Sequence, residues 1–142
     1  YDFVVLDSCE DKEDTHPEYG GMADYTAYRS KMTDWLCSLE STGRNTIALC
    51  HSPDLCLEPE LAARSFDKLE SMGTSLLASG HLHRVALDES KSFPVFIDGG
   101  VDSAGSGSFA GAMMSLTSDG IRLKCQDNNG SVLLEKSISW NK

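Results

Sequence analysis

The order of apolar runs along the chain is the feature that most limits its fold. Three short apolar runs, at 3–7, 46–50 and 75–79, alternate with two segments whose apolar residues recur at helical spacing. A strand, helix, strand, helix, strand order is typical of an α/β unit, in which helices cross over between parallel strands. The sequence therefore predicts an α/β fold in which these three strands are parallel neighbours.

The two predicted helices begin near Asp24 and Pro59 and end before Gly43 and Gly73. Arg29 is assigned to the polar face of the first helix, because it falls outside the apolar stripe. The stripe of the first helix, predicted to be buried, consists of Tyr25, Tyr28, Met32, Trp35, Leu36 and Leu39. The stripe of the second consists of Ala62, Phe66, Leu69 and Met72.

Loops and a β-meander are predicted for the remaining segments. Residues 8–21 and the Gly- and Ser-rich stretch 101–111 are predicted loops. Neither an internal repeat nor a linker interrupts the chain, so residues 1–142 are treated as one unit. Short strands are predicted at 94–97, 112–116, 121–126 and 132–139.

Three of the four histidines directly follow predicted strands. His51 follows the run at 46–50, while His81 and His83 follow the run at 75–79, with Gly80 supplying a sharp turn. Parallel neighbours end at one edge of the sheet, which is where α/β folds place binding sites. Imidazole is a common ligand for zinc and similar ions. We therefore predict that these three histidines bind metal, and one alternative is a mononuclear zinc site with an open position.

Two histidine motifs resemble those of a known family. Residues 50–53 (CHSP) and 79–84 (SGHLHR) are similar to the last two metal-binding motifs of the calcineurin-like metallophosphoesterases. The opening segment, with its acidic loop and its helix, resembles a bacterial branch of that family whose members are often exported. The resemblance covers essentially the whole chain. It implies that residues 1–142 form the C-terminal half of a four-layer αββα sandwich of two mixed sheets.

The resemblance also implies a divided metal centre. His51 and His81 would bind one metal ion and His83 a second, with zinc, iron or manganese as the metals. The family's bridging Asp, Asn ligand and leaving-group His belong to motifs that do not occur in residues 1–142. We therefore expect no catalytic acid in this segment, at most one weakly held metal, little or no hydrolysis by the chain alone, and an N-terminal half as its partner.

Two further residues are candidate contacts for a phosphate ester substrate. Tyr19 lies in the acidic loop, which could overhang the site, although a solvated connector is the alternative. Arg84 follows His83 and could meet a phosphate, although a surface salt bridge is the alternative. Asp7 ends the first strand and either orients a ligand or caps a turn.

Charge and composition exclude some partners. The net charge is −10, with 12 Lys and Arg against 22 Asp and Glu, so binding to nucleic acid is not expected. No apolar run is long enough to span a bilayer. The five cysteines have no metal-type spacing and are interpreted as mostly buried thiols without a disulfide framework. A homodimer through an exposed apolar face is the alternative to the N-terminal partner, and a non-catalytic binding or structural module is the alternative function.

Overall fold

A parallel sheet forms the centre of the molecule. The computed structural model describes residues 1–9, 11–101 and 107–141. The strands of this first sheet lie in the order β1-β2-β3-β5-β4, where β1, β2, β3 and β5 are parallel and β4 is antiparallel to β5. The prediction of three parallel neighbours is confirmed, while β4 was not predicted. The strands are β1 (Asp2–Leu6), β2 (Thr46–Cys50), β3 (Thr74–Ser79), β4 (Ala86–Asp88) and β5 (Val95–Ile97).

The second sheet is an antiparallel meander in the order β6-β7-β8-β9. The predicted meander is confirmed, but β7 begins earlier than expected, inside the predicted loop 101–111. The reason is pairing, because Ala110 lies opposite both Gly100 and Asp127 and extends the strand backwards. Residues 102–106 of that loop lie outside the described residues. The strands are β6 (Gly100–Val101), β7 (Phe109–Leu116), β8 (Gly120–Asp127) and β9 (Val132–Ser139).

Two helices, α1 (Tyr25–Ser38) and α2 (Pro59–Ser71), cover one face of the first sheet. The second sheet packs on the opposite face, where Ile47, Leu76 and Phe96 meet Ile121, Leu123 and Ile138. The result is a three-layer α/β/β arrangement, and the fold class is mixed α/β as the sequence predicts. No helix in the described part of the chain is both long and apolar enough to cross a membrane.

The buried face of α1 differs from the predicted stripe. Tyr28 and Trp35 are exposed, whereas the side chain of Arg29 is fully buried. The Arg29 guanidinium donates two hydrogen bonds to Glu58, from Nε to Oε2 at 2.8 Å and from Nη2 to Oε1 at 2.6 Å. Arg29 can be buried because this bidentate pair compensates its charge. The same hydrogen bonds lower the pKa of Glu58.

Strand β1 is buried on one side only. Val4 and Leu6 pack against the helices, but Phe3 and Val5, on the other side, are 52% and 65% exposed. The apolar run at 3–7 predicts a buried strand, and this prediction is confirmed on one face and wrong on the other. The second sheet covers β2, β3, β4 and β5, and no residue of β1 belongs to the core beneath it.

An open apolar trough results between the two sheets, with a volume of about 370 Å³. Within the described residues β1 pairs only with β2, and β7 pairs with β6 only at Phe109 and Ala110. In the part of the chain that the structure describes, both sheets therefore present an unpaired strand edge beside the trough. Its apolar walls include Val5, Leu49, Ala78, Ala112 and Met114, and these five residues define the trough.

Candidate metal centre

Strands β2 and β3 place two histidines side by side. The strands are parallel neighbours that end at Cys50 and Ser79, so the residues that follow leave the sheet at the same edge. The backbone N–H of Gly80 donates to the carbonyl of His51 at 3.0 Å, which fixes the two strand ends against each other. His51 and His81 therefore lie together at the carboxyl edge, as the sequence predicts.

The two imidazoles face each other through ring nitrogens. His51 Nε2 and His81 Nδ1 are 3.3 Å apart, and the ring planes are inclined at 79°. In a tetrahedral site, two nitrogens that each lie about 2.0–2.1 Å from a zinc ion are separated by about 3.3 Å. The donor types and their separation therefore fit two ligands of one metal ion.

His83 takes a separate position. Its Nδ1 lies 2.5 Å from the carbonyl oxygen of Val101, so Nδ1–H donates and Nε2 keeps its lone pair. His83 lines a neighbouring depression together with Arg84, Gly99 and Phe109. Among the residues that the structure describes, no three His, Cys, Asp or Glu side chains converge closely enough to hold a metal ion.

Both histidines of the His-x-His motif adopt a backbone conformation that side chains rarely take. The φ angles are +67° at His81 and +50° at His83. Gly80 has no positive φ, so the sharp turn expected at the glycine is made by His81 itself. A left-handed residue other than glycine costs about 1–2 kcal/mol, and such strain is concentrated at functional sites.

A carboxylate outside the predicted set contacts the pair. Asp11 Oδ2 lies 3.5 Å from Nε2 of His81, on the side of the ring away from His51. Sequence reasoning assigned the loop around Asp11 to substrate contact or to a solvated connector. No spacing rule could find this contact, because the two residues are 70 positions apart.

A depression of about 440 Å³ lies beside the pair. Asp11 and Asp54 contribute carboxylates to its wall, and Leu57, Ala62 and Leu82 contribute apolar surface. Neither Lys nor Arg is among the described residues of its lining. This depression therefore offers a phosphate group no side-chain cation.

The two predicted substrate contacts lie away from this depression. Tyr19 packs edge-on against Tyr25, with ring centroids 5.2 Å apart, and Arg84 lines the depression of His83. Asp7 takes the turn role, because its carboxylate accepts hydrogen bonds from the Cys9 N–H at 2.9 Å and from the Tyr28 hydroxyl at 3.2 Å.

Two cysteines near the histidines are buried thiols. Burial raises the pKa of Cys50 and of Cys56. Both thiols are therefore harder to ionise than an exposed cysteine. The imidazoles share this edge with the carboxylates of Asp11 and Asp54.

Comparison with known proteins supports the fold. No protein-family model matches the chain, and no curated protein matches it. The solved structure of GAP50, the anchor in the inner membrane complex of Plasmodium, is similar with a TM-score of 0.61 and 14% sequence identity. The match covers 99% of this chain and 49% of GAP50, so the chain spans about half the length of that relative. At this identity the likeness shows the fold alone.

Two weaker structural likenesses are to a conserved uncharacterised protein and to Vps29. The first, a predicted phosphoesterase from Streptococcus pneumoniae TIGR4, has a TM-score of 0.39 and 11% identity over 96% of both chains. The second, wild-type Vps29 complexed with Zn²⁺ from Entamoeba histolytica, has a TM-score of 0.38 and 10% identity over 98% of this chain and 99% of that one. Likenesses this weak carry no argument about the site.

Proposed function

We propose that this chain supplies part of the metal centre of a phosphoesterase that hydrolyses a phosphate monoester or diester. His51 Nε2 and His81 Nδ1 would hold one metal ion, and His83 Nε2 would hold a second. The observation that supports this most directly is the 3.3 Å approach of the two imidazole nitrogens at the carboxyl edge of a parallel sheet. The positive φ angles at His81 and His83 add independent support.

The charge of the site favours metal-dependent chemistry. Zinc, iron or manganese would neutralise the phosphate and lower the pKa of a water molecule that attacks phosphorus. Metal ions would have to supply the positive charge near His51 and His81, because the described residues around that depression include no Lys or Arg. The Arg84 guanidinium beside His83 is the proposed exception, and Tyr19 remains a proposed substrate contact.

The donor set requires ligands from another segment. His51, His81 and His83 supply no bridging group, and among the described residues no three ligand side chains, the nearby Asp11 and Asp54 included, converge to hold a metal ion. We propose that the remaining ligands, and the acid that protonates the leaving group, come from an N-terminal half of the same domain. The chain alone would then hold at most one metal ion and would hydrolyse little or nothing.

The trough is the proposed contact surface for that half. Among the described strands, two edges without a pairing partner flank an apolar face there, an arrangement that added strands would complete. A second copy of the chain is the alternative occupant. Val5→Lys would place a charge in the trough, and we expect it to weaken self-association in sedimentation velocity if copies associate through this face, whereas Leu133→Lys, on the exposed β9, would not.

Elemental analysis tests the metal proposal. The purified chain is loaded with zinc or manganese, desalted, and compared with His51→Ala, His81→Ala and the control His16→Ala, whose histidine lies on the acidic loop. We expect up to one metal ion per chain, lost in the first two variants and kept in the control. Two tightly held ions per chain would contradict the divided site, and retention by His51→Ala would remove its basis.

A non-catalytic binding or structural module is the second candidate. It is favoured by the absence, among the described residues, of any group of three metal-ligand side chains. GAP50, which shares the fold, is described as an anchor. A stable monomer that takes up no metal under the loading conditions would support this candidate over the phosphoesterase.

A further inference from the structure

We propose that Asp11 is a positioning residue that holds His81 in the tautomer able to bind metal. The inference deepens the proposed function and rests on His81 being a ligand. Asp11 would accept a hydrogen bond from Nε2–H of His81, so that Nδ1 presents its lone pair toward His51. Asp11 would not itself bind the metal ion.

The positions of the atoms on the two sides of the His81 ring support this role. Asp11 Oδ2 approaches Nε2 at 3.5 Å, and His51 Nε2 approaches Nδ1 at 3.3 Å. A metal-bound histidine almost always donates its other N–H to a carboxylate or a carbonyl, which fixes the ring and raises its basicity. His83 likewise has a partner for one ring nitrogen, because its Nδ1 lies 2.5 Å from the carbonyl oxygen of Val101.

The loop that carries Asp11 is anchored to α1. Asp14 accepts hydrogen bonds from the backbone N–H groups of Tyr25 at 2.9 Å and Thr26 at 3.2 Å, so it caps the helix. The residue at the helix start, Asp24, makes no capping bond with its side chain. Lys12, next to Asp11, forms an ion pair with Glu18. These contacts, made by residues one and three positions after Asp11, restrict where its carboxylate can lie.

A definite proton arrangement follows for the metal-free protein. Asp11 stabilises the Nε2–H tautomer of His81, because a carboxylate only accepts hydrogen bonds. Nδ1 of His81 then accepts from Nε2–H of His51. When His51 acts as a ligand, its proton moves to Nδ1, which leaves Nε2 available.

A general electrostatic effect is the competing explanation, because any carboxylate in the depression would attract a cation. Asp54 provides the matched control, since it lines the same depression and Asp54→Asn removes the same charge. Asp54 belongs to the turn after His51, where its backbone N–H donates to Ser52 Oγ at 3.3 Å. A positioning role predicts that the two carboxylates differ in effect.

Zinc affinity, measured by competition with a chromophoric chelator, is the first test. We expect Asp11→Ala to weaken binding about 10–100-fold, as loss of the outer partner of a ligating histidine does elsewhere. Asp11→Asn, whose amide oxygen still accepts a hydrogen bond, should weaken it less. Asp54→Asn should change it less than about threefold. Equal losses in Asp11→Ala and Asp54→Asn, or no loss in Asp11→Ala, would overturn the proposal.

The tautomer of His81 is the second test, and it needs no metal. Long-range ¹H–¹⁵N correlation spectra are recorded on the metal-free protein at mildly alkaline pH, where imidazole is neutral. We expect His81 to be in the Nε2–H form in the wild type and in a mixture of forms in Asp11→Ala. An Nδ1–H form in the wild type, or no change in the variant, would refute the proposal.

The two tests separate this inference from the proposed function. If the wild type takes up no zinc and the tautomer result is obtained, the Asp11 contact stands and metal binding by His51 and His81 alone fails. If zinc binds through His51 and His81 and Asp11→Ala binds it equally well, the metal proposal stands and the role of Asp11 is wrong.

Discussion

The two faces of the first sheet are covered by other elements to different degrees. On the helix face, Val4 and Leu6 of β1 are 6% and 4% exposed beneath α1 and α2. On the opposite face of the same strand, Phe3 and Val5 are 52% and 65% exposed. Adjacent residues of one strand therefore experience a closed core and an open apolar surface.

The helix face stabilises the chain, whereas the open face is available to a partner. The helix face contains a continuous core built from both helices and four strands. The other face contains a second core under β8 and β9, but it stops short of β1 and leaves the trough open. We therefore expect stability to depend mainly on the helix face, while the trough and the histidine edge remain available for assembly.

The strongest test of this comparison removes side chains from each face. Leu36 is fully buried on the helix face, so Leu36→Ala should lower the free energy of unfolding by about 2–5 kcal/mol. Val5→Thr on the open face should change it by less than about 0.5 kcal/mol. Equilibrium unfolding in urea measures both. A large loss in Val5→Thr would show that something covers the open face.

A second test concerns the buried ion pair of the helix face. Glu58→Gln keeps the shape of the side chain and removes the negative charge opposite Arg29. The free energy of unfolding should fall by about 2 kcal/mol, less than for a fully buried pair because the Glu58 side chain is 26% exposed. Urea unfolding at neutral pH measures the change. An unchanged midpoint would mean that Arg29 is satisfied without this carboxylate.

Acidification should weaken the same ion pair, because it protonates Glu58. The hydrogen bonds from Arg29 lower the pKa of Glu58 from its ordinary value of 4.5. The stabilisation is therefore fully present above pH 4.5 and is lost as the pH falls through the lower, folded-state pKa. The stability difference between wild type and Glu58→Gln should narrow across that interval in a series of urea titrations. A difference that persists at the acid end would assign the effect to packing instead of charge.

The smallest expected effect comes from an exposed ion pair between the same helices. Arg64 and Asp34 lie 2.8 Å apart, with side chains 49% and 63% exposed. Asp34→Asn should change the free energy of unfolding far less than Glu58→Gln does, because solvent screens surface pairs. If its effect in urea unfolding matched that of Glu58→Gln, burial would not be what distinguishes the two pairs.

Sequence patterns predicted the helices and strands better than they predicted which side chains are buried. The strands that precede His51 and His81 and both helices were predictable, because local apolar periodicity specifies them. The burial of Arg29 was not, since it depends on Glu58, which lies 29 residues away and outside any helical spacing. The exposure of Val5 was also not predictable, because an apolar strand has the same pattern whether or not a neighbouring layer covers it.

For the candidate site, too, one part of the arrangement was predictable from the sequence and another part was not. The positions of His51 and His81 at one edge follow from parallel pairing, which the sequence predicts. The separate placement of His83 and the approach of Asp11 to His81 depend on loop conformations that have no periodic signal. Long-range contacts made by loops are the part of a site that local sequence rules do not reach.

The left-handed backbone at His81 and His83 has a consequence for selection and for engineering. Glycine adopts this conformation without the penalty that a side chain imposes, so a chain optimised for stability alone would exchange both histidines for glycine. Libraries screened only for thermal tolerance should therefore enrich glycine, and to a lesser extent asparagine, at these two positions. The histidines would persist only where a requirement other than folding retains them.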